Sequence, residues 1–368
     1  MTEKIKRCVK CIMPERVPGV SLDEEGVCNF CREFEEITYL GREKLEEVIE
    51  EARGGDGDYD CIVPMSGGRD STYALYVARK EYDLKTLAVN FNNEFNHEQA
   101  RINIRMACEI TGADFISVRS ENDIGINLVQ SLLKEELGLG FSRRPNICRA
   151  CSYGIKAVPY SEAEKHGVKL ILYAGSQEEN VQGMIDTVMR AGGVTLKRKL
   201  LNRWNRITPK HLRVKRNLIK MKREFPVTGN SPYSKSIRPE LKTPGIKEIH
   251  LFNYIPWDRR VITSTITSEL GWKKTAGHRS SWRNDCKLHQ YINYDFIHRY
   301  GCSRDCFGYC RMIMTGKMAR EKALEQEEVL LESYEKGEIN GVNIKQLLTE
   351  DVGLSEKEAR MVMTKKPK

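Results

Sequence analysis

The chain has 368 residues, enough for roughly two or three domains, and 40% of them are hydrophobic, which supports a packed core and excludes a wholly disordered polypeptide. The net charge of +9 points to an anionic partner: nucleic acid, nucleotide sugar or lipid surface. No apolar run approaches the roughly eighteen residues a membrane helix needs, and the N-terminus Met1–Arg7 has no apolar core behind it, so a cytoplasmic protein without a secretory signal is expected.

Residues 1–40 read as loop-like and rich in cysteine. Cys8-x2-Cys11-x16-Cys28-x2-Cys31 sets two Cys-x2-Cys knuckles at the separation that gives four-thiolate zinc, a closed structural site. So short a segment needs its metal in order to fold. A helix is predicted over Gly41 to Arg53, where Leu45, Val48 and Ile49 fall at helical spacing, and Gly54-Gly55-Asp56-Gly57 breaks it. Tyr59–Met65 then reads as a buried parallel strand.

From there strand and helix alternate. A Gly-rich turn opens a helix at Ser71–Tyr82, followed by strand Lys85–Asn90, helix His97–Thr111, strand Asp114–Val118 and helix Ile124–Leu137. After Cys148 and Cys151, a helix is predicted at Tyr160–His166 with a Ser161-x2-Glu164 capping box, then strand Lys169–Ala174. Such alternation implies an α/β fold with a doubly wound parallel sheet, whose ligands sit beyond the carboxyl ends of the strands. Residues 41–195 and 246–315 are assigned to this catalytic domain. Residues 196–245 form an insertion in which positions 197–223 hold twelve Lys or Arg and no acid. That stretch suits RNA phosphates, an anionic membrane, the diphosphate of a nucleotide sugar, or plain solvent. Residues 316–368 are charged and helical, with a Ser355-x2-Glu358 capping box.

The turn Ser66-Gly67-Gly68-Arg69-Asp70-Ser71 carries the chemistry. Consecutive glycines let backbone amides converge on one anion, and the following helix adds its N-terminal dipole. Ser66 and Ser71 supply hydroxyl donors. Asp70 repels phosphate by itself and suits holding the loop or placing Mg²⁺. The turn is not a Walker loop, for no Gly-x4-Gly-Lys-Ser/Thr occurs. Gly175 at a strand end allows close backbone approach to a ligand, and Glu179 could hold Mg²⁺ or serve as a helix N-cap.

Eight further cysteines bear on function or packing. Cys148-x2-Cys151 with the distant Cys286 makes three thiols, the set that holds a [4Fe–4S] cluster with one iron left open; a redox pair or inert thiols are the other readings. Cys302, Cys306 and Cys310 fall on one helical face and suit either a metal or a buried helix contact. Cys61, like Cys108, stands alone in apolar surroundings and is expected to be a buried structural thiol.

Ser66–Ser71 resembles the Ser-Gly-Gly-x-Asp-Ser loop of the N-type ATP pyrophosphatases, or PP-loop enzymes, with Arg69 where lysine is common. The resemblance implies an adenine nucleotide alpha hydrolase-like domain that grips the pyrophosphate of ATP and transfers AMP to a substrate oxygen. It also brings Asn90 and Asn92, and the segment Gly175, Ser176 and Glu179, to the ATP site. Cys8–Pro14, Asp23–Cys31, Tyr59–Ser71, Tyr254–Trp257 and Glu269–Trp272 together resemble the N-acetyl sugar amidotransferase family, at varying strength over residues 8–330. That likeness implies conversion of acetamido to acetamidino in surface polysaccharide biosynthesis, with ammonia from a partner glutaminase. Cys148, Cys151 and Cys286 instead resemble the iron–sulfur sulfurtransferases of the superfamily, which thiolate a tRNA nucleobase. Asp70, Cys148 and Cys151 are the candidate catalytic residues, the expected cofactors are ATP, Mg²⁺, Zn²⁺ and a [4Fe–4S] cluster, and a homo-oligomer is expected. A non-enzymatic zinc-ribbon adaptor is the reading from another class.

Overall fold

Strand β1 (Cys61–Pro64) is the centre of the molecule because nothing in it suits water: Cys61, Ile62 and Val63 are fully buried. Burying a side chain such as Ile62 stabilises the fold by about 1.5–3 kcal/mol. In the computed structural model, which describes residues 5–53, 57–139, 147–191, 209–224, 245–278, 281–283 and 285–364, β1 lies in a five-stranded sheet of order β3-β2-β1-β4-β5. β2 is Thr86–Asn92, β3 Asp114–Arg119, β4 Leu170–Tyr173 and β5 Lys247–His250. All four pairings are parallel; Cys61 to Pro64 register with Thr86 to Val89, and Ile62 with Ile171. The order reverses beside β1, so a crevice opens beyond the carboxyl ends of β1 and β4, where doubly wound sheets bind ligands.

Right-handed crossovers put α1 (Arg69–Tyr76, between β1 and β2) and α2 (Glu98–Thr111, between β2 and β3) on one face. They pack together and against α3 (Arg259–Leu270). The predicted strands and α2 stand within a few residues of where the sequence places them, while α1 ends at Tyr76 and continues as a π-helix over Val77–Glu81 toward the expected end at Tyr82. The helix before β1 spans Arg42–Ala52 and buries Leu45, Val48 and Ile49.

One boundary differs. The helix expected to begin at Tyr160 begins instead at Cys148 and runs unbroken to Lys165, with Pro159 inside it. Ser161 is therefore interior and no capping box forms there. Proline removes one backbone donor and strains the preceding turn. Here Ala157, Val158, Tyr160 and Ala163 are each at most 2% exposed where this helix, α4, crosses β2, β1 and β4, and that burial outweighs the proline. Gly154 permits the crossing: a Cβ there would stand 2.3 Å from Phe91 Cζ.

Of the basic stretch, Pro209–Glu224 is a helix; the remainder lies outside the described residues. It packs on the helix Ile124–Leu139, where Asn217 Nδ2 donates to Asn127 O at 3.2 Å and Ser131 Oγ at 3.0 Å. Arg213, Lys215, Arg216, Lys220 and Arg223 are exposed. Near the C-terminus the expected capping box is present: Ser355 N donates to Glu358 Oε2 at 2.9 Å and Glu358 N to Ser355 Oγ at 3.3 Å. Among the described residues, no helix is long and apolar enough to cross a membrane.

Candidate functional site: a glycine turn and three thiols on one cavity

The turn after β1 is held by side chains that capture its carbonyls. Asn90 Nδ2 donates to Met65 O at 2.6 Å, Asn103 Nδ2 to Gly67 O at 3.2 Å, and Trp272 Nε1 to the same Gly67 O at 3.1 Å. Within the turn, Ser71 Oγ bridges, accepting from Ser66 N at 3.2 Å and donating to Gly68 O at 3.1 Å. Gly67 has φ +77°, and a Cβ on it would stand 2.1 Å from Ala100 O. Only glycine fits, for both backbone and space. The helix that follows, α1, aims its N-terminus at this turn.

Arg69 is 2% exposed and ties the turn to two other segments. Its Nε and Nη2 each donate to Asp70 at 2.9 Å, Nη2 also to Glu179 Oε1 at 2.6 Å, and Nη1 to Ser281 Oγ at 2.9 Å. Trp257 lies under the guanidinium at 4.8 Å, and its Nε1 donates to Asp70 Oδ1 at 3.1 Å. Burial pushes the Glu179 carboxyl up to about 7, with Asp70 adding to the rise and Arg69 opposing it. Asp70 and Glu179 are the acids named for Mg²⁺, and both are already engaged by Arg69. They offer hard oxygen donors suited to Mg²⁺, but only if Arg69 yields one of them.

A cavity of about 720 Å³ opens beyond the strand ends. Ser66, Gly68, Arg69, Asp70 and Ser71 line one wall, with Asn90, Gly175, Ser176 and Glu179 beside them. Asn92 is not in the lining; its Oδ1 accepts from Glu94 N at 3.0 Å and turns the chain, which brings Asn93 into the cavity in its place. Glu178 faces the other way and accepts a hydrogen bond from Tyr39.

Cys148, Cys151 and Cys286 line the same cavity. The first two enter on the opening turn of α4, which Gly154 lets settle against Phe91. Cys286 arrives from far along the chain, where its segment pairs with the loop after β2. Asn96 bridges Cys286, His97 N donates to Asp285 O at 3.1 Å, and Lys287 N donates to Phe95 O at 2.8 Å. Burial pushes the Cys151 thiol well above its usual range, reinforced by Cys286 and Cys148, and pushes the Cys286 thiol up to about 12. A cation answers this: Arg283, exposed at the cavity mouth, lies within electrostatic reach of Asp285, Glu179, Cys148 and Cys286. Asn93, Trp257, Trp272, Ser281 and Arg283 have no local motif that would single them out. Trp257 and Trp272 do fall in the stretches whose family likeness is noted above.

The zinc expectation meets a matching geometry. The four sulfurs of Cys8, Cys11, Cys28 and Cys31 lie within 4.8 Å of one another. Cys8 and Cys31 are 3.9 Å apart and Cys11 and Cys28 3.7 Å, near the roughly 3.8 Å edge that a tetrahedron with 2.3 Å Zn–S bonds requires. Backbone amides of Cys11 and Cys28 donate to Cys8 Sγ at 3.4 and 3.2 Å, as thiolates need. Cys302, Cys306 and Cys310 are fully buried, Cys302 just before the helix Asp305–Met314 and the other two within it. They form the floor under the ribbon: Cys306 Sγ lies 3.9 Å from Ile12 O and 4.0 Å from Arg7 Nη1. Cys61 and Cys108 are buried, as expected.

No family model matches the chain. An uncharacterized protein of Methanocaldococcus jannaschii is 25% identical over 131 residues, which are 36% of this chain and 43% of that protein. The chain thus spans less than half the length of that relative. Among solved structures, the U34-tRNA thiolase NcsA from Methanococcus maripaludis with its [4Fe-4S] cluster is 15% identical, covering 88% of this chain and 89% of that one, with a TM-score of 0.34. NMN synthetase from Francisella tularensis is 12% identical, covering 55% of this chain and 97% of that one, with a TM-score of 0.28.

Proposed function

We propose that this chain is an ATP-dependent adenylating enzyme that activates a carbonyl or amide oxygen as an AMP adduct, so that a nucleophile can replace that oxygen. The observation that carries the reading is the shared cavity: the Ser66–Ser71 turn at the N-terminus of a helix, with Cys148, Cys151 and Cys286 lining the same space. ATP binds with its phosphates on the amides of the turn. An amide oxygen is a poor leaving group. Transfer of AMP to it, with pyrophosphate released, makes a good one.

For the acceptor, we read an N-acetyl sugar amidotransferase of surface polysaccharide biosynthesis. The acetamido oxygen of a nucleotide sugar takes AMP. Ammonia from a glutaminase partner attacks the imidate carbon, AMP leaves with the oxygen, and proton loss gives the acetamidino group. The support is the likeness carried by the ribbon, the loop and the two tryptophan segments.

A second reading is favoured by the three cysteines. Their donor set fits an iron–sulfur cluster: three thiols on one cavity, an amide donor 3.6 Å from Cys151 Sγ, and Arg283 to offset thiolate charge. Bound there on Cys148, Cys151 and Cys286, a [4Fe–4S] cluster supplies one open iron for a substrate atom or sulfide. With sulfide as nucleophile, the same adenylation would thiolate a tRNA nucleobase.

The test is product analysis on anaerobically purified protein with ATP. UDP-linked N-acetyl sugars and ammonium are expected to give AMP and an amidine seen by mass spectrometry. AMP released only with sulfide and RNA would move the assignment to sulfur transfer. No AMP under either condition would sink adenylation itself and leave the zinc-ribbon adaptor.

A further inference from the structure

The loop after β2 does more than turn the chain. Asn93 Nδ2 lies 3.6 Å from Cys151 Sγ, within reach of an N–H···S bond. The amide orientation is fixed from its other end, since Asn93 Oδ1 accepts from Phe95 N at 3.0 Å. A flip would set an amide hydrogen against the Phe95 N–H. The donor therefore has one orientation, toward the sulfur. The same loop, through Phe95, Asn96 and His97, also carries the pairing that brings in Cys286. One short segment thus frames two of the three thiols and directs a hydrogen bond at one of them.

We infer that Asn93 is a positioning residue of the three-thiol site, donating to the Cys151 sulfur and thereby setting the redox potential of an iron–sulfur cluster held there; this rests on the cluster reading above. The physics is general. A donor to a metal-bound thiolate withdraws negative charge from it, which favours the reduced, more negative cluster and raises the potential. Cys151 is itself only partly exposed, which limits the screening of such a bond.

The experiment compares wild type with Asn93→Ser, Asn93→Ala and Asn93→Asp after anaerobic reconstitution. Iron content, the cluster absorbance and the midpoint potential by spectroelectrochemistry are read. Iron content equal to wild type is expected, with potential falling in the order wild type, Ser, Ala, Asp as the donor is weakened, removed and then replaced by a negative charge. Loaded Ala and Asp variants at the wild-type potential would overturn the inference. So would a failure of all three to load, Ser included, because that outcome marks a packing role alone. A wild-type protein that takes up no iron would be a different result, removing the cluster reading on which the inference stands.

Discussion

Arg69 Nη2 stands 2.6 Å from Glu179 Oε1, a bond between the glycine turn after β1 and the acidic segment after β4. It crosses the point where the strand order reverses. The same guanidinium holds Asp70, so one buried cation neutralises both carboxylates at the mouth of the loop.

That arrangement predicts a large cost for removing the cation. Arg69→Ala leaves two largely buried carboxylates without the cation that hydrogen-bonds both, Arg283 acting on Glu179 only at longer range, and breaking a buried pair in this way costs roughly 3–5 kcal/mol. Arg69→Lys keeps the charge but loses the fork that reaches Asp70, Glu179 and Ser281 together, so it should recover only part of the loss. Urea unfolding followed by circular dichroism measures both. A stability for Arg69→Ala within 1 kcal/mol of wild type, as roughly expected of a surface substitution, would refute the clamp.

Glu248 gives a pH prediction. Burial alone would raise its carboxyl, yet hydrogen bonding to His250 and the charge of Lys156, 2.5 Å away, hold it down at about 2. A depressed carboxylate stabilises the native state above its unfolded pKa, and that stability is lost as pH falls from about 4.5 toward 2. The contribution is at most ~3 kcal/mol. Acid unfolding of Glu248→Gln should accordingly show a flatter decline than wild type across that window. Parallel curves would contradict the assignment.

Zinc should be structural. One zinc per chain is expected by elemental analysis, with loss of the metal and a lower melting temperature in Cys11→Ser. The ribbon is also held from outside: Arg320 donates to Cys11 O at 2.9 Å and Cys8 O at 3.2 Å. Arg320→Ala should retain zinc but cost about 1–3 kcal/mol, the range for leaving partly buried acceptors unmet. Zinc loss in that variant would show that the ribbon cannot hold metal without its docking surface.

Much of this was legible in the sequence because it is local. The spacing of Cys8 to Cys31 states a metal geometry, and Ser66–Ser71 states its own backbone shape once a strand precedes it and a helix follows. What escaped is held together through space. The local signal starts a helix at Tyr160, but burial of Ala157, Val158 and Ala163 carries it back through Pro159 and thereby sets Cys148 and Cys151 on a helix start. Asn103, Trp257 and Trp272 pin the loop from as much as 205 residues away. Asn92 and Asn93 are chemically alike, and only the turn at Glu94 determines which of them enters the cavity.

If Cys148, Cys151 and Cys286 act as one site, their single alanine variants should fail alike. Anaerobically prepared wild type is expected to be brown with absorbance near 400 nm, and Cys286→Ala should lose colour and iron as completely as Cys151→Ala, while zinc stays at the wild-type level. Full iron in Cys286→Ala would break the trio.

The most direct test of adenylation is which phosphate bond of ATP is cut. Turnover with acceptor and nucleophile, followed by nucleotide chromatography, should yield AMP and pyrophosphate in equal amounts. Gly67→Ala, whose added methyl would meet Ala100 O, should abolish both while the zinc content stays unchanged. ADP and orthophosphate as products, or full AMP formation by the Gly67→Ala protein, would contradict a phosphate site at Ser66–Ser71.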